Sequence, residues 1–438
     1  MTKESLSDQI KNLKFCVFDL ETTGGNQQND KVIEIGLVNI EGLEVVDKKH
    51  FLINPQIKIP DFIQKLTSIS QDDVKDAPLI EEVVDEIVEF MGDKVLVAHN
   101  TSFDVPFFNS VLARLGKPQL ENRSLCTNLM TRYLIPNLLN SNLNYMSKVF
   151  GIKHNKAHRA LDDALAAAEL LLNYINIFIH KDIKKINHLY YPRNKYELDR
   201  LHLRSKDEFE ANRASIQKIK TPFLLTIKGH NGVILYSFPS LSTKEQISFV
   251  MDKINSFDWE SVTIRLFGSF LESFIQFNNL FNKMDIQMKK EVVSKLRGFH
   301  TKEYRLQEVS EEILSKRKVG DFVIAQHLVP EQFIIFPIKS LHAKSGLIFR
   351  YPGHKKKLLQ YIQSRSSKGH SAKAKKAHYA PQLKDLIQNT IRYHFNKSDE
   401  FFIFDKDLAL KTPEHFYKQF EIFSAKNKYH YNYPKEYI

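Results

Sequence analysis

Two carboxylates lie close together near the N-terminus, at the end of a short apolar run. Asp19 and Glu21 stand two positions apart in residues 15–24, and this run of apolar residues ending in turn formers predicts a strand. Side chains alternate faces along a strand, so both carboxylates point to the same side. Like charges on one face repel each other unless a cation lies between them, and Mg²⁺ or Mn²⁺ prefers carboxylate oxygens. The pair indicates either a divalent-metal site or two solvated acids at a strand end.

Two later stretches carry side chains of the same chemistry. His99 and Asp104 follow a predicted buried strand, and His158, Asp162 and Asp163 open a predicted helix. A histidine titrates near neutrality and can accept a proton from water, although an isolated histidine is more often a surface or packing residue. Acids in the first turn of a helix are favoured by the helix dipole, and that effect alone accounts for Asp162.

The elements that must position these residues follow a recognisable order. Strands are predicted at 15–24, 31–40, 43–53 and 94–98, and helices at 78–91, 101–115, 124–134, 143–150 and 160–178. Strands followed by alternating helices and strands are typical of an α/β layer fold.

Three motifs stand in order along this region: Asp19-x-Glu21-Thr22-Thr23-Gly24, His99-Asn100-x-x-Phe103-Asp104 and His158-Arg159-Ala160-Leu161-Asp162-Asp163. They resemble the three motifs of the DEDDh, or DnaQ-like, 3′→5′ exonucleases. The resemblance covers residues 13–178, and three ordered motifs are far more specific than any one alone. It implies a ribonuclease H-like fold, in which a mixed sheet is flanked by helices.

The resemblance also implies roles for individual residues. It implies a general base, His158, and four metal-binding carboxylates, Asp19, Glu21, Asp104 and Asp163. Asp163 is chosen over Asp162 because the family's acid lies five positions after the histidine. The implied cofactors are two divalent ions, Mg²⁺ or Mn²⁺, which in such sites activate water and stabilise the leaving oxyanion.

Substrate contacts are less sharply defined by the motifs. Relatives hold the terminal nucleotide with the turn after the first motif and with apolar neighbours, so we expect Thr22, Thr23 and Phe103 to contact it; Phe103 is alternatively a core residue. Cys126 is a departure, because many relatives carry aspartate there. This position lies outside the five catalytic residues, and we expect no loss of chemistry from it.

Length and cysteine content bound the class of protein. The chain has 438 residues, enough for two or three domains. Its two cysteines, Cys16 and Cys126, are too few for a disulfide framework and fit a reducing compartment. The first 14 residues lack the apolar core of a signal peptide, and no apolar run approaches the ~20 residues that span a membrane. We expect a cytoplasmic protein without a membrane partner.

Charge is distributed unevenly along the chain. Residues 1–180 contain 18 Lys and Arg against 24 Asp and Glu, whereas residues 181–438 contain 45 against 27. Residues 332–384 contain twelve Lys and Arg and no acid. An acidic first domain suits a metal site, and a basic second half suits a polyanion. We expect nucleic acid to contact the lysines of this window, namely Lys355, Lys356, Lys357, Lys373, Lys375 and Lys376.

Beyond the exonuclease-like domain at 13–178, we predict a linker at 181–205, a module at 206–300 and a basic, aromatic-rich region at 301–438. The predicted strands here are 223–227, 233–238, 262–267, 320–326 and 332–338, and the predicted helices are 243–255, 270–282 and 383–395. This half reads as a basic α+β region. Aromatic residues of the tail could stack on bases, but Phe416, Phe420 and Phe423 have the spacing of core residues.

Residues 217–285 are similar to the GIY-YIG nucleases of the UvrC and Cho-like branch. Glu272 falls at the metal-binding glutamate of that family and Tyr236 falls near the tyrosine of its second motif, but Leu224 replaces the first tyrosine and Phe238 replaces a glycine. The resemblance therefore implies a degenerate module without nuclease activity. The alternative is an unrelated α/β domain in which Glu272 is solvated.

Three functions follow from these observations. The favoured one is a 3′→5′ exonuclease acting on DNA, in repair or proofreading, with a polymerase or repair complex as a partner. An exoribonuclease that trims RNA is the second, because recognition of the 2′-hydroxyl depends on pocket shape. A nucleic-acid-binding adaptor without catalysis is the third, and the filled catalytic positions argue against it.

Overall fold

The structure is a computed structural model that describes residues 6–181, 187–190, 197–303, 320–341, 345–366, 380, 383, 386–387, 391 and 400–426. The chain divides into two compact units, unit 1 (residues 1–197) and unit 2 (residues 198–437). None of the helices within these ranges is long and apolar enough to cross a membrane.

Unit 1 is built on a five-stranded mixed sheet. Its strands are β1 (Phe15–Thr22), β2 (Val32–Glu41), β3 (Glu44–Leu52), β4 (Val95–Ala98) and β5 (Ser124–Cys126), in the order β3-β2-β1-β4-β5. Strands β1 to β3 form an antiparallel meander, while β4 runs parallel to β1 and β5 runs parallel to β4. The predicted mixed sheet is therefore confirmed.

Nine helices accompany this sheet in the described part of unit 1. They are α1 (Leu6–Lys11), α2 (Asp61–Thr67), α3 (Gln71–Val74), α4 (Ile80–Met91), α5 (Thr101–Arg114), α6 (Thr127–Leu134), α7 (Leu143–Phe150), α8 (Ala160–His180) and α9 (Asn187–Tyr190). The predicted helix at 124–134 was wrong in its first three residues, which extend the sheet as β5 because their backbone pairs with β4.

The alternation of side chains along β1 separates its two faces. Cys16, Phe18 and Leu20 are buried in one apolar cluster with residues of α4 and α5. The side chains of Asp19 and Glu21 must then project from the other face, and α8 packs against β1 and β2. The core thus fixes which face of the sheet carries the carboxylates.

A glycine on β2 lets α8 approach the sheet closely. Gly36 pairs with Asp19 across the β1–β2 ladder, and a Cβ atom at Gly36 would lie 2.4 Å from the backbone of Ala160, the first residue of α8. No real side chain fits in that space. The N-terminus of α8 is consequently held directly over the carboxylate-bearing end of β1.

The turn after β1 is held by its own hydrogen bonds. The Thr23 hydroxyl donates to Asp30 Oδ1 at 3.1 Å, and the Asn26 N–H donates to Asp30 Oδ2 at 2.7 Å. From α5, Arg114 Nη1 donates to the carbonyl of Gln27 at 2.5 Å. Gly24 is required here, since a Cβ would lie 2.5 Å from the Asp30 carboxylate.

The described residues of unit 2 form two four-stranded antiparallel sheets. The first has strands β6 (Arg200–Leu203), β7 (Phe223–Lys228), β8 (Ile234–Ser240) and β9 (Ser261–Leu266) in the order β6-β9-β7-β8; the second has β10 (Phe322–Gln326), β11 (Gln332–Pro337), β12 (Leu347–Arg350) and β13 (Phe401–Phe404) in the order β12-β11-β10-β13. Both predicted hairpins are confirmed, as β7–β8 and β10–β11.

The helices described in unit 2 are α10 (Lys206–Gln217), α11 (Lys244–Ser256), α12 (Phe270–Phe281), α13 (Ile286–Glu303), α14 (Lys355–Ser366), α15 (Lys406–Lys411) and α16 (Pro413–Lys426). Of the predicted helix at 383–395, only positions 383, 386, 387 and 391 are described, and all four are helical. The predicted linker at 181–205 was too long, because Arg200–Leu203 pairs with β9 and belongs to the sheet.

The aromatic residues of α16 belong to the core of the second sheet. Phe416, Phe420 and Phe423 are buried with Phe333 of β11 and Phe404 of β13. The expectation that these three rings are core is confirmed, and they are not available to stack on bases. Tyr429, Tyr431 and Tyr433 lie outside the described residues.

Candidate active site

Three elements of unit 1 bring four carboxylates together. Asp19 and Glu21 come from the end of β1, whereas Asp104 and Asp163 come from the first turns of α5 and α8. Each of the other three carboxylates lies close enough to Asp19 to raise its pKa. The four predicted metal ligands therefore form one cluster, and the two helix N-termini favour its negative charge.

Burial and mutual repulsion oppose ionisation of these acids. Burial, followed by repulsion from Asp104, Asp163 and Glu21, raises the pKa of Asp19 well above its ordinary value. Burial and then repulsion from Asp163 raise the pKa of Glu21 to about 8, and burial raises the pKa of Asp104 to about 7. Four such acids become fully ionised at neutral pH only if cations compensate their charge.

Asp104 is buried in the first turn of α5. Burial raises its pKa, and the backbone of Asp104 and of Leu20 on β1 lowers that pKa in part. The Asp104 N–H donates to the carbonyl of Asn100 at 3.4 Å.

His158 stands next to the cluster and is exposed to solvent. One ligand atom each of Glu21, His158 and Asp163 lies within 4.8 Å of the other two. His158 adopts a left-handed backbone conformation with φ of 62°. Carboxylate oxygens are the ligands that hard divalent ions prefer, so the acids of the cluster are suited to the kind of ion that the resemblance implies.

A buried acid that the sequence analysis did not select fixes the start of α8. Glu34, on β2 opposite Glu21, accepts hydrogen bonds from Arg159 Nη2 at 2.7 Å and from the Ala160 N–H at 2.8 Å, and it contacts His50 Nε2 at 2.6 Å. Burial alone would raise its pKa, but the hydrogen bonds from His50, Arg159 and Ala160 outweigh burial and lower the pKa to about 2. We call these four residues the Glu34 clamp.

A second histidine was also missed. His154 Nε2 lies 2.5 Å from Asp163 Oδ1, and the His158 N–H donates to Asp163 Oδ2 at 3.3 Å. The His154 side chain is only 4% exposed. Nothing in the sequence pattern signals this contact, because it depends on the path of the loop at 151–159.

The three residues predicted to contact the nucleotide all make contacts within the protein. Thr22 donates its hydroxyl to the Gly24 carbonyl at 2.6 Å. Thr23 uses its hydroxyl inside the turn, as a donor to Asp30 and an acceptor from the Lys31 N–H. Phe103 is partly buried and packs 5.5 Å from the ring of Phe107. All three lie next to catalytic candidates along the chain, and their role in substrate binding stays a prediction.

The predicted basic contacts lie in unit 2. Lys355, Lys356 and Lys357 form the first turn of α14, where Lys356 and Lys357 are exposed. Lys355 Nζ lies over the rings of Tyr351 and Tyr417, 5.3 Å and 4.9 Å from their centroids. Lys373, Lys375 and Lys376 lie outside the described residues.

Glu272 on α12 is buried, so the alternative that made it a solvated residue was wrong on this point. Burial raises its pKa to about 7, which the nearby Arg265 partly offsets, and its Oε2 atom has no hydrogen-bond partner among the described residues. Tyr236 is also buried, and its hydroxyl is likewise without a partner in the described part of the chain. The degenerate GIY-YIG module stays a prediction.

The fold and the acidic cluster of unit 1 are those expected of a nuclease domain, since carboxylate oxygens beside a histidine suit hydrolysis of a phosphodiester. Residues 16–171 match the family model RNase T, which is described as an exonuclease. Unit 1 therefore contains an exonuclease domain of the DEDDh type, as the motifs predicted.

Curated relatives match over the same region. A DNA polymerase III PolC-type from Caldanaerobacter subterraneus subsp. tengcongensis is 43% identical over 176 residues, which are 40% of this chain and 12% of the relative. Another from Clostridium perfringens is 44% identical over 169 residues, 39% of this chain and 11% of the relative. The chain thus spans only about a tenth of the length of these relatives.

Solved structures align with a similar part of the chain. Exonuclease X in complex with 5′ overhanging duplex DNA has a TM-score of 0.32 and 26% identity, covering 37% of this chain and 91% of that chain. The nuclease domain of 3′hExo, a DEDDh family member bound to rAMP, has a TM-score of 0.33 and 20% identity. The alignment covers 39% of this chain and 94% of that chain.

Replacement of Glu34 by Gln should lower the free energy of unfolding by about 2–3 kcal/mol, because Arg159 would lose its buried anion. The ionised Glu34 stabilises the fold above pH 4.5, and this contribution is lost as the pH falls towards about 2. The difference from wild type, measured by urea unfolding of the full chain, should shrink over that interval. Glu41→Gln, which loses only an exposed pair with Lys14, should cost less than about 0.5 kcal/mol; equal losses would contradict the role of Glu34.

Replacement of Asp19 by Asn should raise the midpoint of thermal unfolding in EDTA, because folding then no longer has to protonate, or to bury as an anion, a carboxyl that is ionised in the unfolded chain. Saturation with Mg²⁺ at about 100 times its Kd should stabilise the wild type by about 2.7 kcal/mol, and most of this gain should be absent in the variant. Scanning calorimetry of the full chain with EDTA or Mg²⁺ measures both effects. Asp162→Asn removes the neighbouring acid outside the cluster and should keep the full response; loss of the response there instead would contradict the assignment.

Proposed function

We propose that this chain is a divalent-metal-dependent 3′→5′ exonuclease that removes nucleotides from the 3′ end of DNA. The observation that carries the proposal is the convergence of Asp19, Glu21, Asp104, Asp163 and His158 at one site, in an exonuclease domain with every predicted catalytic position filled. An adaptor without catalysis would have no need for a buried cluster of repelling carboxylates.

The side chains divide the chemistry between them. Asp19, Glu21, Asp104 and Asp163 would hold two divalent ions, and such ions would supply activation of a water molecule and stabilisation of the leaving 3′-oxyanion. His158 is exposed beside Glu21 and Asp163, and its imidazole takes the proton from the attacking water. The Glu34 clamp holds the start of α8, so that His158 and Asp163 keep a constant position relative to β1.

DNA is the favoured substrate because the curated relatives reported above are named as DNA polymerases, and these two are more than 40% identical over the exonuclease region. The corresponding context is proofreading or repair in the cytoplasm, beside a polymerase or repair complex. RNA trimming is the second candidate, since recognition of the 2′-hydroxyl depends on the shape of the nucleotide pocket.

Unit 2 binds the nucleic acid and does not supply a second nuclease centre. Glu272 is buried with Arg265 close to it, and the replacements at Leu224 and Phe238 support the proposal that the module at 206–300 is degenerate. The exposed Lys356 and Lys357 of α14, together with the lysines predicted from residues 373–376, supply positive charge for phosphates.

A time course with the purified full chain tests the activity. End-labelled single-stranded DNA, double-stranded DNA and single-stranded RNA are incubated with Mg²⁺, Mn²⁺ or EDTA, beside Asp163→Ala and Asp162→Ala. We expect a metal-dependent ladder that shortens from the 3′ end. The ladder should persist in Asp162→Ala and fall by at least about 1,000-fold in Asp163→Ala, because a metal ligand is lost.

The substrates also separate the alternatives. Shortening of RNA alone would favour the exoribonuclease, and tight binding without cleavage of any substrate would favour the adaptor. Internal nicks that survive Asp163→Ala would place a second nuclease in unit 2 and overturn the proposal for that module.

Reversal of two exposed charges on α14 should weaken DNA binding. Lys356→Glu together with Lys357→Glu should lower affinity and reduce the slope of log K against log salt by about 2, because about one counterion is released for each phosphate contact. The control variant carries Lys283→Glu and Lys290→Glu, two exposed lysines elsewhere in unit 2, with the same change in net charge. Equal salt slopes for both variants, measured by fluorescence anisotropy, would exclude α14 from the binding surface.

A further inference from the structure

The Asp163 carboxylate is held from both sides by one loop. The His154 imidazole contacts Oδ1 at 2.5 Å, and the His158 N–H reaches Oδ2 at 3.3 Å. Residues 155–157, between these two contacts, are exposed. The loop is therefore anchored at both ends on a single carboxylate, and its middle is free of the core.

The contact with Asp163 is the hydrogen bond that the described residues give the His154 imidazole. Its side chain is 4% exposed, and its Nδ1 atom is buried with no hydrogen-bond partner among the described residues. Burial of an unpaired polar atom costs free energy, and an apolar side chain of similar volume would avoid that cost. The Nε2–H group donated to Asp163 is the feature that an apolar residue could not supply.

We propose that His154 is a positioning residue that orients Asp163 for metal binding and holds His158 over the site; this inference rests on the proposed function. A carboxylate with free rotation about its χ2 angle must be ordered when it binds an ion, whereas one that accepts two fixed hydrogen bonds is already ordered. Glu21, His158 and Asp163 already have ligand atoms within 4.8 Å of one another.

The same contact bears on the general base. His158 has a left-handed backbone, which a histidine adopts only at a cost. The surrounding contacts must hold it in that conformation, and the two ends of the loop are tied together through Asp163. Loss of the His154 anchor releases one end of the loop and therefore loosens the base as well as the ligand.

Three variants of the full chain test this role. His154→Leu keeps the volume and removes the donor, His154→Gln restores an N–H donor, and His180→Leu is a control at the exposed end of α8. Mn²⁺ affinity is measured by electron paramagnetic resonance without nucleic acid, and unfolding is measured in EDTA. The exonuclease rate is then measured as a function of Mg²⁺ concentration.

We expect His154→Leu to weaken Mn²⁺ binding 10- to 100-fold, the range for lost hydrogen bonds to metal ligands, and to raise the half-saturating Mg²⁺ concentration in parallel. Its unfolding midpoint in EDTA should stay within a few degrees of wild type. His154→Gln should recover most of the Mn²⁺ affinity, and His180→Leu should match wild type in every measurement.

Unchanged Mn²⁺ affinity in His154→Leu would overturn the proposal, as would equal losses in the Leu and Gln variants, which would indicate packing rather than hydrogen bonding. Wild-type protein that binds Mn²⁺ but cleaves no substrate would overturn the exonuclease function alone. The Mn²⁺ affinities would still decide the role of His154 in that case.

Discussion

The contact between β2 and the start of α8 is the constraint on which the site depends. The Glu34 carboxylate accepts hydrogen bonds from Arg159 and from the Ala160 N–H. Gly36, two residues further along β2 and on the same face, leaves room for the backbone of Ala160. One buried carboxylate and one absent side chain thus set both the distance and the angle of the helix. Because β1 pairs with β2, this contact places Asp163 beside Asp19 and Glu21 without any direct bond between them.

The cluster that results is an unfavourable arrangement on its own. Burial and repulsion raise the pKa of its acids, so the protein spends stability to hold four carboxylates together. The rest of the domain supplies that stability through an apolar core on the opposite face of the sheet. Functional sites commonly conflict with local stability in this manner, and the conflict here disappears when cations compensate the charge.

Sequence reasoning reached the parts of this site that follow from local rules. Strand alternation placed Asp19 and Glu21 on one face, and motif order selected Asp104, His158 and Asp163. Glu34 was missed, although an acid and a glycine that interrupt an apolar strand were an available signal. His154 could not have been found, since its contact depends on a loop path. The local pattern predicted a helix at residues 124–126. These residues instead form a strand, because pairing with β4 is a tertiary effect that overrides local propensity.

The left-handed backbone at His158 sets stability and chemistry against each other at one position. This conformation costs an L-residue about 1–2 kcal/mol, and glycine or asparagine adopts it most easily. Selection for a sturdier fold would thus favour residues that lack an imidazole, while selection for turnover would retain the histidine that we propose as the general base. A lineage that no longer needs catalysis should lose His158 early, so the residue at this position reports whether a descendant is still an enzyme.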